Sequence, residues 1–142
     1  SISTRVSATT MTWGSPITKR LVFVHTEPHR AESVSNIKWK IEDMLLIVGT
    51  VRVSAENLDE ARPVMQRMIQ ASRAENGCIE YAYAQDILDP GLIHVKELWL
   101  DRVSLDKHFT SGHIADWRSE WPRLGIADRN LMLYEVEAPE IT

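Results

Sequence analysis

Residues 44 to 142 predict an α+β fold in the order βαββαβ, an antiparallel sheet with helices on one face. Three observations point to it: a β-branched apolar run from Met44 to Val53, an apolar stripe at helical spacing directly after it, and a turn at Asp89-Pro90-Gly91 joining two strand-like segments.

Leu45-Leu46-Ile47-Val48-Gly49-Thr50-Val51-Arg52-Val53 passes from a continuous apolar run into alternation, as a largely buried strand does. Leu58, Ala61, Met65, Met68, Ile69 and Ser72 then recur on one helical face, which places helix one at about residues 58 to 75, with Asn57 and Glu60 as a capping pair. Pro63 removes a backbone donor beyond the first turn, so a late start or a bend is expected there. Gly77 stops the helix. Ile79, Tyr81 and Tyr83 alternate with Glu80, Ala82 and Ala84, and Leu92 to Leu100 runs as a second strand, making 78 to 100 a hairpin. Asp101 caps a short helix carrying Val103, Leu105 and Phe109. After a break at Ser111-Gly112, Ile114, Trp117, Trp121 and Leu124 share one stripe, ended by Pro122 and Gly125, and residues 130 to 137 read as a final strand. This is the ferredoxin-like arrangement. One sheet face is left bare, and since Trp and Tyr side chains are expected on it, a second copy of the chain is the simplest cover.

Residues 1 to 43 differ in character. Ser1 to Thr12 is rich in Ser and Thr, Gly14-Ser15-Pro16 and Glu27-Pro28-His29 are turn-forming interruptions, and only Leu21-Val22-Phe23-Val24-His25 reads as a strand. This segment is expected to be a partly ordered extension, and Met44 is a candidate natural start with the preceding residues added upstream.

The net charge of -4 divides unevenly: residues 1 to 43 hold six basic and four acidic side chains, the remainder ten and sixteen. An acidic body without a Lys/Arg cluster disfavours nucleic acid and polyanionic substrates, because such binding rests on neutralising phosphates. The longest apolar stretch, Met44 to Val48, is too short to span a bilayer. Cys78 is the only cysteine, which excludes an intrachain disulfide and a cysteine-based zinc site, and makes the cytoplasm the default compartment.

Several residues have chemistry to offer. Glu97 and Trp99, two apart on a strand, share a face with Ile93 and Val95, and a carboxylate in that row is costly to bury without a partner. His108 follows on the next helix and is within reach. A carboxylate-imidazole pair would orient the ring and raise its basicity, as a general base for a phenolic proton requires. The competing reading pairs Glu97 with an arginine or a backbone donor and leaves His108 sealing a helix end. Trp99 serves as core or interface residue, or as substrate platform. Tyr81 and Tyr83 offer phenol hydroxyls to a cavity or pack across strands, and Phe109 joins them as a substrate-binding candidate. His94 falls on the opposite face from Glu97.

No metal centre is expected: HExxH, an acidic metal loop and a Cys pair are missing, and on a continuous helix His108 and His113 would point about 140° apart. Gly77 stands without GxGxxG or a Walker loop, so neither flavin nor nucleotide is expected as cofactor.

Glu75-Asn76-Gly77-Cys78-Ile79-Glu80-Tyr81, Glu97-Leu98-Trp99, Leu105-Asp106-Lys107-His108-Phe109 and Ser111-Gly112-His113 resemble, in order and spacing, the signatures of the antibiotic biosynthesis monooxygenase (ABM) family. The resemblance spans about residues 44 to 138. It implies a homodimeric α/β-barrel and, in catalytic members, oxidation of quinol-type or polycyclic phenolic aromatics by dioxygen without metal or flavin. Non-catalytic barrels that bind a small aromatic ligand are the alternative. So are haem-degrading members, but their pattern implies an asparagine near the middle of the first strand, where this chain has Val48-Gly49-Thr50.

Overall fold

The computed structural model describes the backbone of residues 4–13, 17–26 and 39–41, and backbone and side chains of 43–137 and 139–142. The chain divides into two compact units, 1–42 and 43–142.

The first unit is a three-stranded antiparallel sheet in the order β1-β2-β3, formed by Thr4–Trp13, Ile17–Thr26 and Trp39–Ile41. The register runs without interruption from Thr4 opposite Thr26 to Trp13 opposite Ile17, and Phe23 lies opposite Trp39. The strand expected at Leu21 to His25 lies inside β2, but β1 was not expected. Its Thr and Val residues favour extended backbone, a preference that the serine-rich composition hides. The interruptions at Gly14-Ser15-Pro16 and Glu27-Pro28-His29 lie outside the described residues.

In the second unit, β4 (Met44–Arg52), β5 (Cys78–Gln85), β6 (Leu92–Trp99) and β7 (Ala127–Val136) form an antiparallel sheet in the order β5-β6-β4-β7. Helices α1 (Leu58–Arg73), α2 (Arg102–Phe109), α3 (Gly112–Ser119) and the short α4 (Trp121–Leu124) complete the ferredoxin-like α+β fold. Odd-numbered residues of β4 and β6, among them Leu45, Ile47, Val51, Ile93, Val95 and Trp99, are buried in one core with Ala61, Val64, Met65 and Met68 of α1 and Leu105, Ile114, Trp117 and Leu124. Strand alternation and the helical repeat each put their apolar residues on that single interface.

Pro63 is accommodated inside α1, which begins at Leu58. The expected capping pair does not form: the chain enters α1 through a 3-10 turn, Ala55–Asn57, in which Ala55 already accepts from the Leu58 N–H. Asn57 instead donates to the Arg123 carbonyl and Glu60 pairs with Arg123, tying α1 to α4. Asp101 does cap α2, accepting from the Ser104 N–H at 2.8 Å.

The bare sheet face carries Leu46 and Val48 of β4 opposite Tyr134 and Met132 of β7. Met132 and Tyr134 are exposed. Of the Trp and Tyr side chains expected on that face Tyr134 is present, whereas Trp99 and Tyr81 are buried under the helices. The pleat decides this, because Trp99 and Tyr81 stand in register with the inward row through Leu45 and Glu97. Gly49 is required by geometry: its φ is +154°, and a Cβ there would lie 2.0 Å from the Asn130 carbonyl oxygen. Among the described residues no helix is long and apolar enough to cross a membrane.

Candidate active site

β5 and β6 supply the floor of the site. Glu97 lies opposite Tyr81 and Val95 opposite Tyr83, so both phenols and the carboxyl point under the helices. Glu97 is only 4% exposed. Its partner is the Trp99 indole, whose Nε1 donates to Oε2 at 3.1 Å, in place of the His108 of one sequence expectation and the arginine or backbone donor of the other. Burial raises the Glu97 pKa above the ordinary carboxylate range, while the Trp99 and Tyr81 donors pull it back. Burial also raises both phenols, Tyr83 to about 12, so neither ionises near neutral pH.

His108 reaches the floor from the last turn of α2 and is 2% exposed. Trp99 packs against the imidazole with ring centroids 4.5 Å apart, and Tyr81 lies at 5.4 Å. The carboxylate that holds His108 is Glu75, in the turn after α1, whose Oε1 lies 2.6 Å from Nδ1. Gly77, with φ +84°, lets the chain double back from that turn into β5. Glu75 Oε1 also lies 2.7 Å from His113 Nε2. An ionised carboxylate only accepts hydrogen bonds, so Nδ1 of His108 carries the proton and, in the neutral ring, Nε2 keeps its lone pair. Burial lowers the His108 pKa and outweighs the opposing pull of Glu75, favouring that neutral ring.

The chain therefore breaks the premise that set His108 and His113 about 140° apart. α2 ends at Phe109 and α3 starts at Gly112, with the Ser111 hydroxyl donating to the His108 carbonyl at 2.7 Å. Two helices, rather than one, bring both imidazoles to the same oxygen.

A small cavity of about 20 Å³ lies between this floor and α3. Tyr81, Tyr83, Glu97, His108 and Phe109 line it, with Ile114, Trp117, Arg118, Trp121, Arg129 and Leu131. Trp99 lies behind that lining, bracing Glu97 and His108. Trp121 Nε1 is buried without a protein partner, the one such side-chain atom among the described residues. Arg118 and Arg129 are exposed at the rim. A free imidazole lone pair, an unpaired indole donor and two nearby cations suit a ligand with an acidic hydroxyl. Sequence reasoning assigned no role to Glu75, His113, Arg118 or Arg129.

Residues 44–120 match the model of the antibiotic biosynthesis monooxygenase family. The chain belongs to this family. It is 25% identical over 115 residues to an uncharacterised Synechocystis protein, a match covering 81% of this chain and 76% of that one. That match is longer than the 100 residues of the second unit and so extends into the first. Among solved structures, a Deinococcus radiodurans protein provisionally described as an antibiotic biosynthesis monooxygenase is 26% identical with a TM-score of 0.64, covering 69% of this chain and 98% of that one. A Nitrosomonas europaea protein of the same description shares the fold at 17% identity and a TM-score of 0.63, covering 69% and 94%. The ABM match begins at the first residue of β4 and ends at Glu120, so it contains Glu75, Glu97, His108 and His113. Its function class is monooxygenase-like.

Proposed function

We propose that the second unit oxidises quinol-type or polycyclic phenolic substrates with dioxygen, using neither metal nor flavin, and works as a homodimer in the cytoplasm. The observation behind this reading is His108: a buried, neutral imidazole anchored through Nδ1 to Glu75, beside a cavity lined by aromatic rings. Nε2 takes the phenolic proton. The electron-rich anion then reduces dioxygen, and for an activated CH2 substrate the balance is one carbonyl and one water formed per dioxygen consumed. Arg118 and Arg129 stabilise the anion, Tyr81, Tyr83 and Phe109 hold its ring, and Trp99 keeps His108 and Glu97 in place. Flavin-free, metal-stripped protein is expected to consume oxygen with hydroquinones or anthrones above the autoxidation rate, and His108→Ala to remove that excess. No excess with any of the panel would end the proposal.

Dimerisation is supported by the bare face with Met132, Tyr134, Leu46 and Val48, which needs a cover. Sedimentation at increasing concentration tests it, and a strict monomer refutes it. At about 20 Å³ the cavity has room for roughly one water, less than an aromatic ring, so a phenolic substrate and the ligand of a non-catalytic barrel alike require the lining to open. A binding module would retain aromatic ligands with unchanged affinity in His108→Ala and show no turnover. Against haem degradation stands Gly49, where any side chain would strike the Asn130 carbonyl, so position 49 has no room for the asparagine of that pattern.

A further inference from the structure

We infer that Glu75, His108 and His113 form a binding site for one divalent late first-row transition ion of the Zn2+ or Co2+ type, an inference that does not rest on the reaction proposed above although it shares His108 with it. One ligand atom from each residue lies within 4.8 Å of the other two. The distances from Glu75 Oε1 to His108 Nδ1 and His113 Nε2 are 2.6 and 2.7 Å. Around a tetrahedral ion with bonds of about 2.0–2.1 Å, neighbouring ligand atoms stand roughly 3.4 Å apart. Each contact must therefore open by less than about 1 Å. Glu75 sits in a turn rather than inside an element, so its side chain can provide that movement.

The donor set selects the ion. Two imidazole nitrogens with one carboxylate oxygen suit Zn2+, Co2+, Ni2+ or Cu2+ and disfavour Mg2+ and Ca2+, which take oxygen ligands. The surroundings support it as well: among the described residues Glu75 pairs with the two imidazoles and with no lysine or arginine that would compete for its carboxylate. Each ring can pass its proton to its other nitrogen as the ion binds. Access is from one side. His108 is sealed, whereas the Glu75 and His113 side chains are 17% and 24% exposed. His113 also borders a groove of about 450 Å³ between α1 and α3 that Asp116 and Glu120 line. Three protein ligands leave a fourth position for water or another small ligand.

The test uses the full chain after chelator treatment, titrated with Zn2+ by calorimetry and with Co2+ by visible absorption. One ion per chain is expected at this site, with the d–d spectrum of low-coordinate Co2+ and a Zn2+-dependent rise in melting temperature. His113→Ala and Glu75→Gln should each weaken binding by about a hundredfold or more and remove the melting shift. His94→Ala and Cys78→Ser should leave all three readouts unchanged. Melting curves recorded without metal establish that each variant is folded, and the two ligand variants are independent of one another. No binding in the wild type, or binding that persists undiminished in both ligand variants, would overturn the inference.

Discussion

Replacing Glu75 by Gln separates a catalytic anchor from a structural brace. The carboxylate accepts two short hydrogen bonds, at 2.6 and 2.7 Å, on one oxygen. Bonds to a charged acceptor contribute about 1.5–3 kcal/mol each. The amide oxygen of Gln retains one of them, so the net loss is about 2 kcal/mol, reduced somewhat by the partial exposure of Glu75. Chemical denaturation should therefore show a lower midpoint with an unchanged slope. The effect on turnover has a different origin. The Gln NH2 can donate to Nδ1 of His108, which moves the ring proton to Nε2 and occupies the lone pair that would take the phenolic proton. General bases contribute about 10²–10⁴-fold, so a loss of roughly a hundredfold in kcat is expected. Glu75 raises the His108 pKa, hence its removal should shift the acid limb of the kcat/KM profile to lower pH. The stability profile carries the same sign. Burial holds the folded His108 below the usual 6.5, so its contribution is present above that pH and is lost as pH falls through the folded value. In the Gln variant that loss should continue further into acid. Oxygen uptake across pH, together with denaturant melts, measures all three effects. A variant that loses stability but keeps kcat and the acid limb would refute the anchoring role and leave Glu75 as a brace.

Three further outcomes follow from the same geometry. Glu97→Gln should raise the melting temperature at pH 7 by a few degrees, on the order of 1 kcal/mol, and do little at pH 4. The reason is that burial raises the folded pKa of Glu97, so its contribution is present below the unfolded carboxylate pKa and is lost as pH rises through the folded one. Equal effects at both pH values would contradict this. Gly49→Ala should cost about 3 kcal/mol or more in urea unfolding, since its Cβ would meet the Asn130 carbonyl at 2.0 Å at a φ of +154°. A change below about 0.5 kcal/mol would mean that β4 and β7 can separate freely there. Finally, Zn2+ loading should stop oxygen uptake, and a chelator should restore it, because an ion on His108 Nδ1 leaves the proton on Nε2. Full activity in protein that calorimetry shows to be zinc-loaded would separate the base from the metal ligands.

The second unit was legible because its periods change cleanly. Ile47 and Val51 on β4, Ile93, Val95, Glu97 and Trp99 on β6, and Ala61, Met65 and Met68 on α1 all lie on the faces their spacing assigns. Five of the six named site residues line one cavity, with Trp99 directly behind it. Two features were not legible. In the first unit, a Ser/Thr-rich strand has the composition of an unstructured segment, and only its pairing with Ile17–Thr26 distinguishes it. On the sheet, Trp99 and Tyr81 went to the covered face and only Tyr134 to the bare one, which depends on the register between strands far apart in sequence.

The pairing of His108 is the instructive case. Glu97, on the strand that leads into α2, was one candidate partner, yet the pleat gives that carboxyl to the indole two residues away, and same-strand neighbours on one face need no loop to meet. Glu75 is 33 residues from His108, and only the crossover from α1 into β5 beside β6 brings them together. One local signal did point the right way: the break at Ser111-Gly112. A helix interrupted there cannot hold His108 and His113 to a single 3.6-residue repeat, so the angle of about 140° loses its basis. Once the helix is cut, the second imidazole is free to turn toward the first, and the acceptor both require is the carboxylate at the end of α1. The two residues of irregular backbone between α2 and α3 thus create a His–Glu–His cluster that an unbroken helix would have forbidden.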